Sequence, residues 1–384
     1  MGETRLFISN FEIKEGRRIF LMILAFAPVL LLVGAVNICV DPAGLYKGVI
    51  HQYEGLEEQN AQSLIEGRNI ENVRIDMDDR LLQKHFIQKM TSRADIVILG
   101  SSHSMWFGEN IFPGKKVVNN SVIHVLLADY LGIFNGYAKK NLFPKRVIIL
   151  LDPQLIAVPF VSERWLSIKE DTFGMLGRLK IRSTRIKQPL ISGAWFNVFS
   201  FSYFQKSIEK LLRSSPQQID PDHKEGRIGQ LLFKDGRRLW TMKLLSWDIE
   251  KSRRKTIMEL QDGTFMQEFN QRKMDKELES ILENFIQYLI NQHIQVTLCM
   301  LPIHPQVYKS FIGQENRPEV LRITDVEHYY QSLAQRFNLE IFGSYDPSVC
   351  HLGDRDFYDG DHIRNDVIEK MLKNKGAPCS MPGI

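Results

Sequence analysis

The sequence predicts an α/β fold, a three-layer α/β/α sandwich around a parallel sheet, preceded by one apolar N-terminal helix. Three observations predict it. Short apolar runs recur and stop at Gly or Pro: ADIVILG (Ala94 to Gly100), KRVIILLDP (Lys145 to Pro153) and IQVTLCMLP (Ile294 to Pro302). Segments with helical spacing lie between them, HVLLADYLGIFNGYAKK (His124 to Lys140) and MDKELESILENFIQYLINQH (Met274 to His293). The 384 residues are 44% hydrophobic and 24% charged, an ordinary globular composition. Strands that are apolar on both faces need cover on both sides, and alternation with helices provides it.

The first element is the apolar one. From Ile19 to Val40 the chain runs 22 residues without a charge. At 1.5 Å per residue such a helix spans a bilayer core of about 30 Å, and Pro28 is a tolerated kink. A buried core helix is the alternative, but Arg17 and Arg18 abut its start and Asp41-Pro42 its end. Arg5, Lys14, Arg17 and Arg18 precede it and only Lys47 follows closely, so residues 1–18 are expected in the cytoplasm. No small-x-small cleavage site follows. The expectation is an uncleaved, single-pass anchor over 19–40 in the cytoplasmic (inner) membrane. The remainder is then periplasmic or otherwise extracytoplasmic.

The rest divides into a helical connector (41–90), a first core half (91–153), a basic insertion (154–273) and a second core half (274–384). A further short strand is expected at KKVVNNS (Lys115 to Ser121). The insertion carries 22 Lys/Arg against 13 Asp/Glu. Runs such as RLKIRSTRIK (Arg178 to Lys187) and KSRRK (Lys251 to Lys255) read as solvated face, or as a surface for anionic headgroups or polymers. A net charge of +4 argues against a nucleic-acid partner. Four Cys are too few for a disulfide-built fold, and no Cys/His cluster suggests zinc; Cys350 and Cys379 are available to pair, whereas Cys299 reads as a buried thiol.

Two motifs carry chemistry. Gly100-Ser101-Ser102-His103-Ser104 follows a strand, where open α/β sheets build their sites and where a helix start supplies N–H donors for an oxyanion. Asp359-Gly360-Asp361-His362 precedes the last amphipathic helix. A serine hydroxyl needs a base, His has the right pKa, and a carboxylate three residues earlier can hold the other ring nitrogen. Each motif alone has a bland reading, a Ser-rich turn in one case and an N-cap or surface turn in the other.

Together, GSS after the first sheet strand and DxxH before the last helix resemble the SGNH (GDSL-type) hydrolase superfamily. The likeness covers about residues 90–155 and 270–375. More narrowly the chain resembles membrane-anchored cell-envelope modification proteins, such as those of alginate O-acetylation and of D-alanyl transfer to teichoic acids. The resemblance implies Ser102 as nucleophile, His362 as base and Asp359 as its orienting acid, with Ser101 in place of the usual Asp. It puts the oxyanion-hole Gly at Ser121, within Asn119-Asn120-Ser121, and the oxyanion-hole Asn at Asp152. A carboxylate there would repel an oxyanion unless protonated or turned away, so the Ser102 and Ser121 N–H groups are the expected donors, and either an Asn119 or Asn120 side chain joins them or the oxyanion is held more weakly than in a free-standing esterase.

His103, beside the nucleophile, His304 in LPIHP and Asp152 are further candidates for lining the substrate site. Trp106 and Phe107 are expected to pack under the nucleophile helix. His351, Asp354, Asp359 and His362 lack a recognised ligand spacing, so no metal and no cofactor are expected. The expected function is acyl-ester chemistry, most simply O-acetyl transfer or removal, on a cell-envelope polysaccharide or exopolysaccharide. Membrane lipid and, by the resemblance, a multipass membrane acyltransferase are the partners. The alternative is a non-catalytic, membrane-anchored scaffold that binds glycan or an assembly partner through the same shell.

Overall fold

The computed structural model describes residues 21, 24–40, 54–73, 77–158, 164–187, 198–212, 218–219, 230–239, 249–261, 273–313, 321–373 and 379. Residues 1–18, and positions 19, 20, 22 and 23 of the expected anchor, lie outside these, as does the start of the connector. Among the described residues no helix is long and apolar enough to cross a membrane. The chain divides into two compact units, one of residues 1–55 with 188–215, the other of 56–187 with 216–384. The basic stretch 154–273 is thus shared between both.

The larger unit is built on a five-stranded parallel sheet: β1 (Ile96–Leu99), β2 (Val117–Asn119), β3 (Arg146–Leu150), β4 (Gln295–Cys299) and β5 (Glu340–Phe342), in the order β5-β4-β3-β1-β2. β1 and β3 are buried throughout, as continuous apolar runs require. Val97 sits opposite Val147, and Ile149 opposite Leu298. The chain leaves β1 toward one edge, then returns over it to β3 and continues to the other edge. That reversal puts a crevice at the carboxyl ends of β1 and β3, where such sheets bind ligands.

Helices α1 (Glu54–Ile65), α2 (Asp79–Lys89), α3 (Leu127–Lys140), α4 (Lys169–Leu179), α6 (Ile249–Gln261), α7 (Lys276–Asn291), α8 (Pro305–Ile312), α9 (Ile323–Phe337) and α10 (Asn365–Lys373) belong to this unit. Asp78 caps α2 by accepting from the Arg80 and Leu81 N–H groups, and Asp275 caps α7 in the same way. Arg80 grips Asp129 of α3 with two bonds of 2.9 and 3.0 Å, both residues buried. Arg238, from the stretch expected as an insertion, reaches Asp79 at 2.6 Å in an equally buried pair. A smaller antiparallel sheet joins Asn69–Val73 to Gln218–Ile219 and Gln230–Leu232, with Arg238–Leu239 at its far edge.

One core cluster carries the site. Ile98, Ile148, Leu150, Cys299 and Phe342 of the sheet pack with Phe107, Phe357, Ile363, Ile368 and Leu372. The turn after β1 and the C-terminal loop are therefore fixed to the same apolar face. Truncating any one of these side chains costs about 2–5 kcal/mol. The Cys350–Cys379 disulfide, across 29 residues, ties the chain beyond α10 back to the start of that loop. Gly343 leaves β5 with φ of 81°, and a side chain there would collide with the Met300 carbonyl.

In the smaller unit, residues 24–40 are helical. Leu24, Phe26, Leu31 and Leu32 of this helix are exposed. Its one buried polar residue, Asn37, donates to the Val198 carbonyl (2.8 Å) and the Ser200 carbonyl (3.1 Å) and accepts from Ser207 Oγ (3.1 Å). Helix α5 (Phe201–Leu212), amphipathic by sequence, is thereby fastened to the apolar helix through Ser207.

Candidate active site

β1 ends at Leu99, and the closeness of the next residue, Gly100, to Ser104 Oγ and Ser121 Oγ leaves no room for a side chain. The next residues form a 3-10 turn, Ser102–Ser104, capped by the Ser101 hydroxyl, which accepts from the His103 N–H at 3.3 Å. Ser102 opens that turn. Its N–H is one of the leading donors that helical geometry leaves without an acceptor inside the turn.

The C-terminal loop folds as a short hairpin, with Phe357 bridged to Ile363 and the Tyr358 N–H donating to the His362 carbonyl. Asp359 Oδ1 accepts from the Asp361 and His362 N–H groups at 3.2 and 2.9 Å, so the four-residue motif closes on itself. The loop meets the β1 turn through side chains: His362 Nε2 lies 3.0 Å from Ser102 Oγ, and His362 Nδ1 lies 2.9 Å from Asp359 Oδ1. Ser102, His362 and Asp359, 260 residues apart along the chain at the serine–histidine step, form one hydrogen-bonded line.

A second line runs beside it. His103 Nδ1 is 3.1 Å from Asp152 Oδ1, and His103 Nε2 is 3.2 Å from Asp361 Oδ2. Asp361 also reaches His362 Nδ1 with its other oxygen, at 2.9 Å. The two imidazoles stand 4.9 Å apart, tilted by 47°. Burial opposes charge on both rings, but the carboxylates outweigh it. Asp152 and Asp361 hold His103 up at about 9, and Asp359 with Asp361 holds His362 well above its ordinary value. Asp361 is held well below the carboxylate range: burial opposes this, and the His362 and His103 charges prevail.

The expected oxyanion donors are engaged elsewhere. The Ser121 N–H donates to Asn119 Oδ1 (2.8 Å), and its hydroxyl pairs with Ser104 Oγ (2.9 Å). Asn119 Nδ2 donates to the Ser104 and Phe107 carbonyls at 2.8 and 2.7 Å, bracing the Ser102–Ser104 turn. Asn120 donates to Gln83 Oε1 and accepts from Tyr137 OH. Both asparagines are wholly buried scaffolding, because buried amides must be satisfied and here the backbone and helices satisfy them. Of the donors named from sequence, the backbone N–H of Ser102 is the one that remains.

Asp152 does not face the nucleophile as an isolated charge. One oxygen is committed to His103, while Oδ2 is buried without a hydrogen-bond partner among the described residues. His304 departs from expectation outright. It is 1% exposed, its Nδ1 accepts from the Gln306 N–H to cap α8, and its ring packs edge-on against Phe357. Burial pushes its pKa down. It supports the loop instead of lining a substrate site. Phe107 is core, and Trp106 donates to Glu369 at 2.9 Å.

Two site residues were not singled out from sequence. Asp361 stands inside the DGDH motif, where it reads as a spacer. Lys255 comes from the run read as solvated face: its Nζ lies 3.5 Å from Asp359 Oδ2 and 3.4 Å from Glu259. Burial opposes its charge, but Asp359 and Glu259 raise its pKa.

A scan against protein-family models finds no match, and no curated protein matches the sequence.

Proposed function

We propose that the chain is a membrane-anchored, SGNH-type serine acyl-esterase or O-acyltransferase acting on an acylated glycan of the cell envelope. The observation that carries this is the continuous hydrogen-bonded line Ser102–His362–Asp359. In this reading Ser102 Oγ attacks the ester carbonyl as its proton passes to His362 Nε2, and Asp359 holds the imidazole in register. The tetrahedral oxyanion takes the Ser102 N–H. Collapse expels the alcohol, which leaves with the proton from His362. Water or a sugar hydroxyl then resolves the acyl-enzyme by the reverse sequence. The apolar helix with its exposed Leu and Phe residues supports a membrane anchor, and the Cys350–Cys379 disulfide supports an oxidising, extracytoplasmic setting. A multipass membrane acyltransferase is the proposed source of the acyl group.

The test is fluorophosphonate labelling of the full chain in detergent beside its Ser102→Ala variant. Labelling of the first and not the second is expected. A folded chain that never labels overturns the catalytic reading.

A second reading, a non-catalytic glycan-binding or assembly scaffold, is favoured by one observation: Ser121, Asn119 and Asn120 are all committed to structural bonds. It predicts glycan retention by Ser102→Ala equal to that of the parent chain, and envelope acylation in cells that survives the substitution.

A further inference from the structure

The second imidazole is unused by the proposed chemistry, and its surroundings are those of a metal ligand. His103 and His362 come from opposite ends of the unit, yet each has Nδ1 held by its own carboxylate, Asp152 for one and Asp359 for the other. Once such a ring gives up a proton to an entering ion, a carboxylate on Nδ1 keeps the Nδ1–H tautomer and leaves the Nε2 lone pair for the metal, the usual outer-shell arrangement behind metal-bound histidines. Between the rings stands Asp361, and donor atoms of His103, Asp361 and His362 all lie within 4.8 Å of one another. Two imidazoles and one carboxylate form the ligand set of open zinc sites, with bond lengths of about 2.0–2.2 Å and a fourth position left for another oxygen. Ser102 Oγ lies 3.0 Å from His362 Nε2. Side chains 19%, 38% and 30% exposed leave the three ligands open to an entering ion.

We propose that His103, Asp361 and His362 form a binding site for a divalent transition metal, zinc being the best match. Metal occupancy takes the His362 Nε2 lone pair and so removes the base from Ser102. Binding itself stands on the ligand geometry alone; the loss of serine reactivity rests on the catalytic reading above. The metal adds no step to acyl transfer. It competes with the proton that His362 must accept, and a chelator reverses it.

The experiment is a zinc titration of the full chain in detergent by equilibrium dialysis, with X-ray absorption of the zinc-loaded chain. The expected result is one retained zinc with a shell of two imidazoles plus oxygen ligands. His103→Gln and Asp361→Asn should each weaken it about tenfold or more, and Ser102→Ala should retain it. Absence of retained zinc, a shell without two imidazoles, or equal affinity in the parent and His103→Gln overturns the site. The absorption spectrum needs no variant, so a misfolded substitution does not obscure the answer. In the same samples zinc should slow fluorophosphonate labelling at least about tenfold, with recovery in a chelator; unchanged labelling at full occupancy overturns the inhibitory role. A chain that never labels, but binds zinc as described, refutes the catalytic reading and leaves the metal site standing.

Discussion

Lys255 Nζ lies 3.5 Å from Asp359 Oδ2, on the carboxylate oxygen that His362 does not use. A helix from the basic stretch thus touches the residue that would orient the base. The cation opposes positive charge on His362. In Lys255→Met that opposition is lost, so the imidazolium becomes more stable and gives up its proton at higher pH. The pair is partly exposed, so the effect is modest: labelling at neutral pH should fall about two- to fivefold. The alkaline limb of its pH profile should also move upward. A profile that keeps its position would mean that Lys255 only packs.

The pH dependence of the site follows from its carboxylates. With His362 held well above its ordinary value, the resting ring carries a proton at neutral pH and is not yet a base. Labelling of Ser102 should therefore climb as pH rises past neutrality instead of levelling near 7. Asp361→Asn removes one of the two carboxylates on His362 Nδ1 and should shift that limb to lower pH. Asp359→Asn removes the orienting partner as well and should depress labelling at every pH. Two stopped-flow profiles decide this, and a limb that Asp361→Asn leaves in place counts against the bridging role.

The same shifts set a stability window. His103 and His362 have folded values above the unfolded 6.5, His103 at about 9, so their contribution is complete below about pH 6 and lost as pH rises through the folded values. Asp361, depressed, contributes above its unfolded 3.8 and loses that contribution as pH falls through its lower folded value. The thermal midpoint should decline between about pH 7 and 10, and His103→Gln should flatten part of that decline. An equal slope in the variant would show that His103 does not contribute.

Much of this fold was legible because burial on both faces of a strand leaves an uninterrupted apolar run, as in IVIL, RVIIL and QVTLC. β5 was not, since three residues with Glu340 at an exposed edge carry no such signal. The small antiparallel sheet was hidden for another reason: NIENV is polar, and its partners lie more than a hundred residues away. The line Ser102–His362–Asp359 was legible through motif spacing. Asn119 and Asn120 misled because an asparagine braced in a buried network and one aimed at an oxyanion look identical in sequence. Lys255 was hidden in the same way, since a cation on an exposed helix face and one turned onto a carboxylate differ only in tertiary contacts.

Gly100 links that scaffold to the chemistry. A methyl group there would run into Ser104 Oγ and Ser121 Oγ, two hydroxyls bonded to each other at 2.9 Å beneath the nucleophile turn. Gly100→Ala must push the turn outward or break that bond, at a cost of about 1–3 kcal/mol. Either movement displaces Ser102 from His362. The expected outcome is a lower thermal midpoint together with a loss of labelling much larger than the loss of folded protein. Ser121→Ala relieves part of the clash, so the double variant should recover stability toward the parent. Additive losses in the two variants would show that the contact is not shared.

In the smaller unit the corresponding test is Asn37→Leu. Asn37 is 0% exposed in a helix whose other faces are apolar, and its amide satisfies the carbonyls of Val198 and Ser200. Leucine fits the volume but removes all three bonds; the Ser200 carbonyl keeps the Phe204 N–H and Ser207 Oγ keeps the Tyr203 carbonyl, so the loss falls chiefly on the Val198 carbonyl. Each unsatisfied buried group costs about 1–3 kcal/mol. The bonds run between the apolar helix and the start of α5, so the loss should appear there and not in the central sheet. Hydrogen exchange should quicken across residues 198–212 by about tenfold or more while β1, β3 and β4 keep their protection. Asn37→Gln, which keeps the amide, should exchange at a rate between the two. Uniform exchange across all three chains would mean that α5 is held by its apolar contacts alone, and that the polar clamp on the helix is dispensable.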